Sequence, residues 1–256
     1  MLKFLILVAV VAGAQAQINW CDEQNKWCDA GDHHIACEPN GFPYGTNVSN
    51  IKMVTMTADI QALIVKTHND LRSKVAKGTE SGLPAAQDMF KMRWDDNLAF
   101  VASKHAEKAK FAHDDCRAFT AYPRSGQNLA MGMSSAPFSS ASISATIQSQ
   151  VSVWYTDEVQ YVRDLPGCID QFTMDCMAAG HITALLHGDS EAVGCAAVTY
   201  DQFRNGRKWY VFQTTCNYDE TNMLDDIVYT AGTASTICSK CSAFQRTCDT
   251  ATGLCV

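Results

Sequence analysis

Twelve cysteines in 256 residues constrain this chain more than any other feature, and their meaning depends on where the chain is sent. Met1-Leu2-Lys3 supplies a positive start, Phe4 to Ala12 is an unbroken apolar run, and Ala14-Gln15-Ala16 puts small residues at both cleavage-determining positions. This predicts a secretory signal peptide over 1–16 and a mature extracellular chain that begins at Gln17. The apolar run falls far short of the roughly 20 residues that cross a bilayer, and no later stretch approaches that length, so no membrane span is expected. In an oxidising compartment an even cysteine count reads as a disulfide framework, whereas in the cytosol it would suggest metal or redox chemistry. Cys238-Ser239-Lys240-Cys241 has the spacing of a zinc half-site or a redox dithiol. It stands alone, without a βαβ context, and export favours structural bridges. Asn47-Val48-Ser49 is the single N-x-S/T sequon and predicts a glycan on Asn47.

Hydrophobic residues make up 47% of the chain, enough for one sizeable core, and disorder throughout is excluded. The formal charge is −7, or −8 once Lys3 is removed with the leader. A nucleic-acid binder needs a basic field to displace counterions from phosphates, so nucleic acid is not an expected partner. A polybasic membrane-surface protein is disfavoured for the same reason.

Along the mature chain, Cys21, Cys28 and Cys37 sit in a turn-rich arm over 17–56 that reads as held by bridges rather than by a core. His33 and His34 lie in that arm and are expected to be solvated. Ile60, Leu63, Ile64, Thr67, His68, Leu71 and Val75 then recur at helical spacing, with Thr57 as cap and Gly78 as stop. His68 falls on the apolar stripe, where a hydrogen-bonded core histidine is expected. A second helix opens at Asp95 or Asp96 and carries Leu98, Val101, Ala102, His105 and Ala109. A third shows Ile143, Ile147, Val151 and Trp154, after a loop of low complexity from Ser134 to Ala145. Ala192 to Tyr200 and Lys208 to Cys216 read as strands flanking Asn205-Gly206, a hairpin turn signal, although the connection looks longer than two residues. The body is assigned to 57–230. A Ser/Thr-rich tail over 231–256 holds Cys238, Cys241, Cys248 and Cys255 and cannot bury much.

Eight local strings line up in order: His68-Asn69-Asp70-Leu71-Arg72, Trp94-Asp95-Asp96-Asn97-Leu98-Ala99, His113-Asp114-Asp115-Cys116, Gly126-Gln127-Asn128-Leu129-Ala130, Trp154-Tyr155-Thr156-Asp157-Glu158, Gly180-His181-Ile182-Thr183, Val193-Gly194-Cys195 and Cys216-Asn217-Tyr218. In this order and spacing they resemble the superfamily of cysteine-rich secretory proteins, antigen 5 allergens and plant pathogenesis-related proteins. The arm with His34-Ile35-Ala36-Cys37 resembles the insect antigen 5 branch. The resemblance implies an α+β fold, a three-layer α-β-α sandwich, and the pairs Cys21–Cys37, Cys28–Cys116 and Cys195–Cys216. Cys168 with Cys176 and two pairs within the tail would complete six bridges, the tail leaving three arrangements open.

The resemblance also implies a cleft lined by two histidines and two acidic residues. Carried over, the histidines are His113 and His181. The first acidic position falls on Gln127, an amide here, and the second on Asp157, with Glu158 adjacent as a substitute. Two imidazoles and one carboxylate suit zinc or copper, and losing the second carboxylate weakens such a site. No cofactor is required on this reading. Hydrolysis lacks a nucleophile: Ser125 is the nearest serine, no Gly-x-Ser-x-Gly elbow exists, and the cysteines are committed to bridges.

The favoured reading is a secreted, monomeric, non-catalytic antigen 5-like protein of saliva or venom that binds a small apolar or amphipathic ligand. The resemblance extends this to a lipid, sterol or eicosanoid, to effects on host haemostasis or inflammation, and to host antibodies as partners of an allergen. Met53, Met56, Met89, Met92, Met131 and Met133 are candidate ligand contacts, since methionine adapts to irregular shapes. The alternative is a zinc- or copper-dependent redox or hydrolytic activity at His113, Asp157 and His181. Alkylation before reduction, read by mass spectrometry, is expected to label no cysteine; two labelled sites would return Cys238 and Cys241 to metal or redox chemistry.

Overall fold

The computed structural model describes residues 18–256, so the expected signal peptide and the start at Gln17 lie outside the described residues. The chain forms helix α1 (Trp20–Trp27), strand β1 (Val48–Met53), helix α2 (Ala58–Ala76), two short strands β2 (Ala85–Ala86) and β3 (Arg93–Trp94), and helix α3 (Asp96–Ala106). Strand β4 (Gly126–Ser134) leads to helices α4 (Ile143–Thr156), α5 (Val159–Asp164), α6 (Gly167–Asp170) and α7 (Gly180–Leu186). The hairpin β5 (Ala192–Arg204) and β6 (Arg207–Tyr218) follows, then β7 (Ala231–Gly232), β8 (Cys248–Asp249) and β9 (Leu254–Cys255). The main sheet has the order β1-β5-β6-β4, with antiparallel neighbours, and β3 runs parallel to β5.

Strand alternation sends one set of side chains to each side, and both sides are covered. Ala102, Ala106, Val198, Tyr200 and Val211 join α3 to one face. Ile64, Ile147, Val151, Trp154, Ile182 and Phe212 join α2, α4 and α7 to the other. The result is the three-layer α-β-α sandwich. Side chains of α4 fasten it to the sheet, since Trp154 Nε1 donates to Leu129 O at 2.9 Å and Gln150 Nε2 donates to Phe212 O at 2.9 Å. Gly194 has no room for a side chain, because a Cβ there would lie 2.1 Å from Ala99 N and 2.5 Å from Asp95 O. That close approach lets the first turn of α3 lie directly on β5, with the Asp95 carboxylate accepting from the amides of Asn97 and Leu98 as cap.

Local readings of the sequence fare unevenly. Thr57 caps α2, and Gly78 follows its end with φ +64°. The hairpin is tighter than expected: Arg204 pairs with Arg207, leaving Asn205 and Gly206 as a two-residue turn with both φ positive. Ala109 lies past the end of α3 with φ +47°, not on its face. The low-complexity lead-in already turns at Ser140–Ser142, and α4 begins at Ile143.

The amino-terminal arm is more than a stapled loop. It supplies β1 to the sheet, and Ile35 and Phe42 pack with Leu98, Val101 and Phe119. His33 is exposed, but His34 is buried and stacked on Trp20 at 5.4 Å, contrary to the expectation of a solvated pair. The tail buries Leu254 in the main core and hydrogen-bonds Lys91 N to Cys255 O. All twelve cysteines are paired: Cys21–Cys37, Cys28–Cys116, Cys168–Cys176 and Cys195–Cys216, with the tail bridged as Cys238–Cys248 and Cys241–Cys255. Cys238 and Cys241 therefore belong to separate bridges.

Arg72 on α2 is buried completely, and among the described residues it hydrogen-bonds to carbonyl oxygens and to no carboxylate. Its Nε and Nη2 donate to Phe90 O, Nη1 donates to Leu185 O and His187 O, and Nη2 also reaches Gly188 O and Ser190 O, all within 2.6–3.3 Å. One side chain thus gathers the 84–92 loop and the turn after α7. Burial draws the guanidinium pKa down to about 10, so it stays charged at neutral pH. Replacing it with Met removes its donors from five buried carbonyls, of which only His187 O and Gly188 O keep a backbone partner, in Ser190 N and Phe90 N, and is expected to cost ~3–5 kcal/mol. Arg72→Lys should recover little of this, because an ammonium cannot span the same fork. Urea melts of both variants check the ranking.

Candidate functional site

The cleft opens between the sheet, α7 and the loop after β6. It encloses about 650 Å³ and is lined by His113, Gln127, Asn128, Glu158 and His181. Its apolar lining is Phe172, Met174, Met177, Met223 and Leu224. The chain thus brings together His113 and His181, which come from distant segments. Asp157 is exposed, is not among the lining residues, and takes a hydrogen bond from Thr156. Glu158 takes the place expected for it. Because α4 ends at Thr156 with Asp157 as its cap, one step along the chain decides which carboxylate turns inward.

Each histidine is fixed through its Nδ1. His181 Nδ1–H donates to Glu158 Oε1 at 2.5 Å, while Glu158 Oε2 accepts from the amides of His181 and Ile182 at 2.9 and 3.0 Å. One carboxylate therefore sets the imidazole and the first turn of α7 together. His113 Nδ1–H donates to Gln127 Oε1 at 2.8 Å. Gln127 Nε2 then donates to Asp114 Oδ2 at 2.7 Å and to Asn217 Oδ1 at 3.1 Å. With both Nδ1 atoms donating, Nε2 is the nitrogen that carries the lone pair in the neutral form of each ring, and neither Nε2 has a protein partner among the described residues. Burial holds the His113 pKa below the ordinary histidine value, with Arg117 and His181 acting the same way and Gln127 and Asp114 opposing. The ring's outer edge is nonetheless exposed, so the enclosure is one-sided.

Beneath the histidines lies a chain of neutral hydrogen bonds. His68 Nδ1–H donates to Ile64 O, Tyr218 Oη–H donates to His68 Nε2 at 3.0 Å, and Asn128 Nδ2 donates both to Tyr218 Oη and to His181 O. The core role expected for His68 matches this. Burial, outweighing the Ile64 hydrogen bond, lowers its pKa to about 4, and burial with Arg72 does the same for His187.

The donor set suits a metal only in part. Two imidazoles preset in the ligating tautomer, with oxygen partners behind them, are what zinc or copper ligands look like. Two nitrogens are half of a tetrahedral set. Among the described residues no group of three or more His, Cys, Asp or Glu side chains is placed to hold a metal. Ser125 lines a different depression, and its buried hydroxyl has no hydrogen-bond partner.

Sequence reasoning missed the apolar wall. Of the methionines singled out, Met89 and Met92 are buried in the core, Met131 and Met133 pack under α3, and Met53 and Met56 line a separate groove. The wall is instead built by a 3-10 turn, Met174–Ala179, tied back by Cys168–Cys176, and by Asn222, whose Nδ2 donates to Gly180 O and Thr183 Oγ1. The usable signal was Met174 and Met177 flanking Cys176 at helical spacing.

Comparisons with known proteins fit this architecture. The sequence profile of the family described as "CAP: Cysteine-rich secretory protein family" matches residues 65–218. Venom allergen-1 of Aedes aegypti is 32% identical over 252 residues, covering 95% of this chain and 89% of that protein. The "Antigen 5 like allergen Cul n 1" of Culicoides nubeculosus is 31% identical over 179 residues, covering 69% of this chain and 77% of that one. Among solved structures, one described as "Structure of BmVAL-1" superposes with a TM-score of 0.60 at 21% identity, over 78% of this chain and 94% of that one. Another, described as "Crystal structure of NaASP2 with Zn2+", gives 0.56 at 21% identity, over 84% and 100%.

Two outcomes follow from this site. Gln127→Glu would restore the acidic position that the resemblance implies, but here it sets a carboxylate against buried Asp114 and the Asn217 carbonyl. It should lower stability by ~1–3 kcal/mol at neutral pH. The loss should shrink as pH falls and the two carboxylates share a proton, which thermal melts across pH would show. His68 and His187 have folded pKa values below those of the unfolded chain. Their stabilisation is therefore complete above about pH 6.5 and is lost as pH falls toward 4, at up to ~1.4 kcal/mol per pH unit each. His187→Asn should flatten that slope in melts between neutral pH and pH 4.5.

Proposed function

This chain belongs to the cysteine-rich secretory protein family, and from that premise we propose that it is a secreted binding protein that captures a small amphipathic ligand in the two-histidine cleft. The observation that carries the reading is the cleft's division into a polar floor and an apolar wall. Met174 is 67%, Met177 57% and Leu224 50% exposed, an unusual cost in water unless something covers them. Methionine's flexible thioether lets such a wall fit ring systems and chains alike. In the same cleft, a neutral imidazole with a free Nε2 lone pair accepts a hydrogen bond and cannot donate one there. The head group that fits is a hydroxyl, as on a sterol or a hydroxylated fatty acid or eicosanoid. Sequestering such a mediator is the route by which the protein would act on host haemostasis or inflammation. Relatives named as venom allergens support an allergen in the same class, with host antibodies as partners.

The zinc or copper reading survives in a reduced form, favoured by the two preset imidazoles. His113 and His181 would hold the ion through Nε2, with Gln127 and Glu158 orienting the rings and water completing the set. Asp157 would take no part, and binding would be weak. Extraction of the secreted protein with organic solvent, followed by mass spectrometry, is expected to recover a hydroxylated lipid, and a fluorescent sterol should bind and be displaced by it. Met174→Glu with Met177→Glu should weaken that binding about tenfold, or ~1.4 kcal/mol. Absence of lipid and of probe binding, together with tight zinc binding by calorimetry that His181→Ala abolishes, would put the metal reading in its place.

A further inference from the structure

The β5–β6 hairpin projects beyond the layers that cover the rest of the sheet, and its end differs in character from the acidic chain around it. Moving outward, the cross-strand pairs are Asp201 with Tyr210, Gln202 with Trp209, Phe203 with Lys208, and Arg204 with Arg207, closed by Asn205-Gly206. Three cations thus cluster at the end against one carboxylate, Asp201, in a chain of net charge −7. Lys52 from β1 adds a fourth cation, because it pairs with Thr199 and so shares the face of Asp201 and Lys208. Phe203 is 57% exposed and supports no core.

The cations are organised on aromatic faces. Arg207 stacks 4.4 Å from the Trp209 ring on one side of the hairpin, and Lys208 lies 4.5 Å over Tyr210 on the other. Stacking of this kind holds a long flexible charge in place before any ligand arrives. Lys208 also reaches Asp201 at 2.8 Å, and Asp201 accepts from Asn50 Nδ2 at 2.6 Å. Beside them is a pocket of about 410 Å³ lined by Lys52, Lys208, Asn50, Tyr210 and Phe138 among others. This pocket lies apart from the two-histidine cleft and shares no lining residue with it.

We propose that the hairpin end and its flanking pocket bind a sulfated polysaccharide chain. Sulfate esters are tetrahedral anions whose terminal oxygens, taken two at a time, accept paired N–H donors from guanidinium groups, and lysine meets them as a point charge. Sugar rings present C–H faces to aromatic platforms, which Trp209, Tyr210 and Phe203 provide. The order of residues argues against the other anionic surface, a lipid bilayer. Interfacial insertion needs aromatic groups outermost with cations behind them. Here Arg204 and Arg207 are outermost and the aromatic rings sit behind them. A chain lying across the hairpin meets both; a flat membrane touches the cations alone.

The test compares the full-length secreted protein with Arg204→Ala/Arg207→Ala/Lys208→Ala, and with a triple variant of equal charge remote from the hairpin, Lys66→Ala/Lys77→Ala/Lys91→Ala. The probes are a heparin-derived decasaccharide, its desulfated counterpart, and phosphatidylserine-rich vesicles. Circular dichroism and melting confirm that both variants fold. The native protein should bind the sulfated decasaccharide, with affinity falling steeply as salt rises, and not the desulfated one. The hairpin variant should lose about tenfold or more, while the remote variant stays within about twofold. Trp209→Ala should weaken binding without changing its salt dependence, separating stacking from charge. Equal loss in the two triple variants, no binding of the sulfated probe, or binding to vesicles alone would overturn the proposal.

Discussion

A single buried cation holds the architecture around the cleft. Arg72 lies where α2, the 84–92 loop and the turn after α7 converge, and the loop and the turn offer it carbonyl oxygens rather than a carboxylate. A buried charge is expensive unless its hydrogen bonds are complete, and a guanidinium spreads its charge over donors enough to satisfy several backbones at once. The turn from Leu185 to Ser190 closes Ser190 N on His187 O and is tied to Val228 and Phe90 through Gly188, and the arginine adds donors to four of its carbonyls. Since α7 carries His181, the position of the cleft's second histidine is inherited from this contact. Asn69, one helical turn away, reinforces it by exchanging hydrogen bonds with the backbone of Met92.

Above that scaffold, the cleft is organised by outer partners more than by the residues that face it. Glu158 spends its carboxylate on three N–H groups of α7, and Gln127 spends its amide on His113, Asp114 and Asn217. An amide can accept from one side and donate to the other; a carboxylate in the same place could only accept. With Asp114 already buried as an acceptor and held by Arg117, the amide is the group that fits. The departure from the family pattern at residue 127 is thus built into its surroundings rather than an isolated loss.

Much of this fold was legible from periodicity and turn chemistry. The stripe from Ile60 to Val75, the Thr57 cap and the Asn205-Gly206 turn rest on interactions within a few residues, and such interactions leave a pattern in the chain. What escaped depends on rotation or on distant partners. Whether Asp157 or Glu158 enters the cleft is settled by about 100° of helix rotation at the end of α4. His34 looked solvated because it lies in the turn-rich arm, yet Trp20 stacks on it and its backbone bridges to Cys116. The tail pairing was undecidable for a similar reason. Cys248 and Cys255 stand opposite each other in the β8–β9 ladder, but each is bonded to a cysteine brought in from Cys238–Cys241.

The six bridges also determine what a cut in the backbone would do. Their spans merge into four closed rings, Cys21 to Cys116, Cys168 to Cys176, Cys195 to Cys216 and Cys238 to Cys255. A nick inside a ring leaves one covalent molecule, whereas a nick in residues 117–167, 177–194 or 217–237 divides it. His113 belongs to the first ring, while Glu158 and His181 lie in unguarded spans. A protease that clipped the Ser134–Ser142 segment would leave two pieces whose shared cleft depends entirely on packing and hydrogen bonds. Such a nicked form would travel as one particle in native conditions and part in denaturant without any reducing agent, exposing surfaces that the intact molecule never shows.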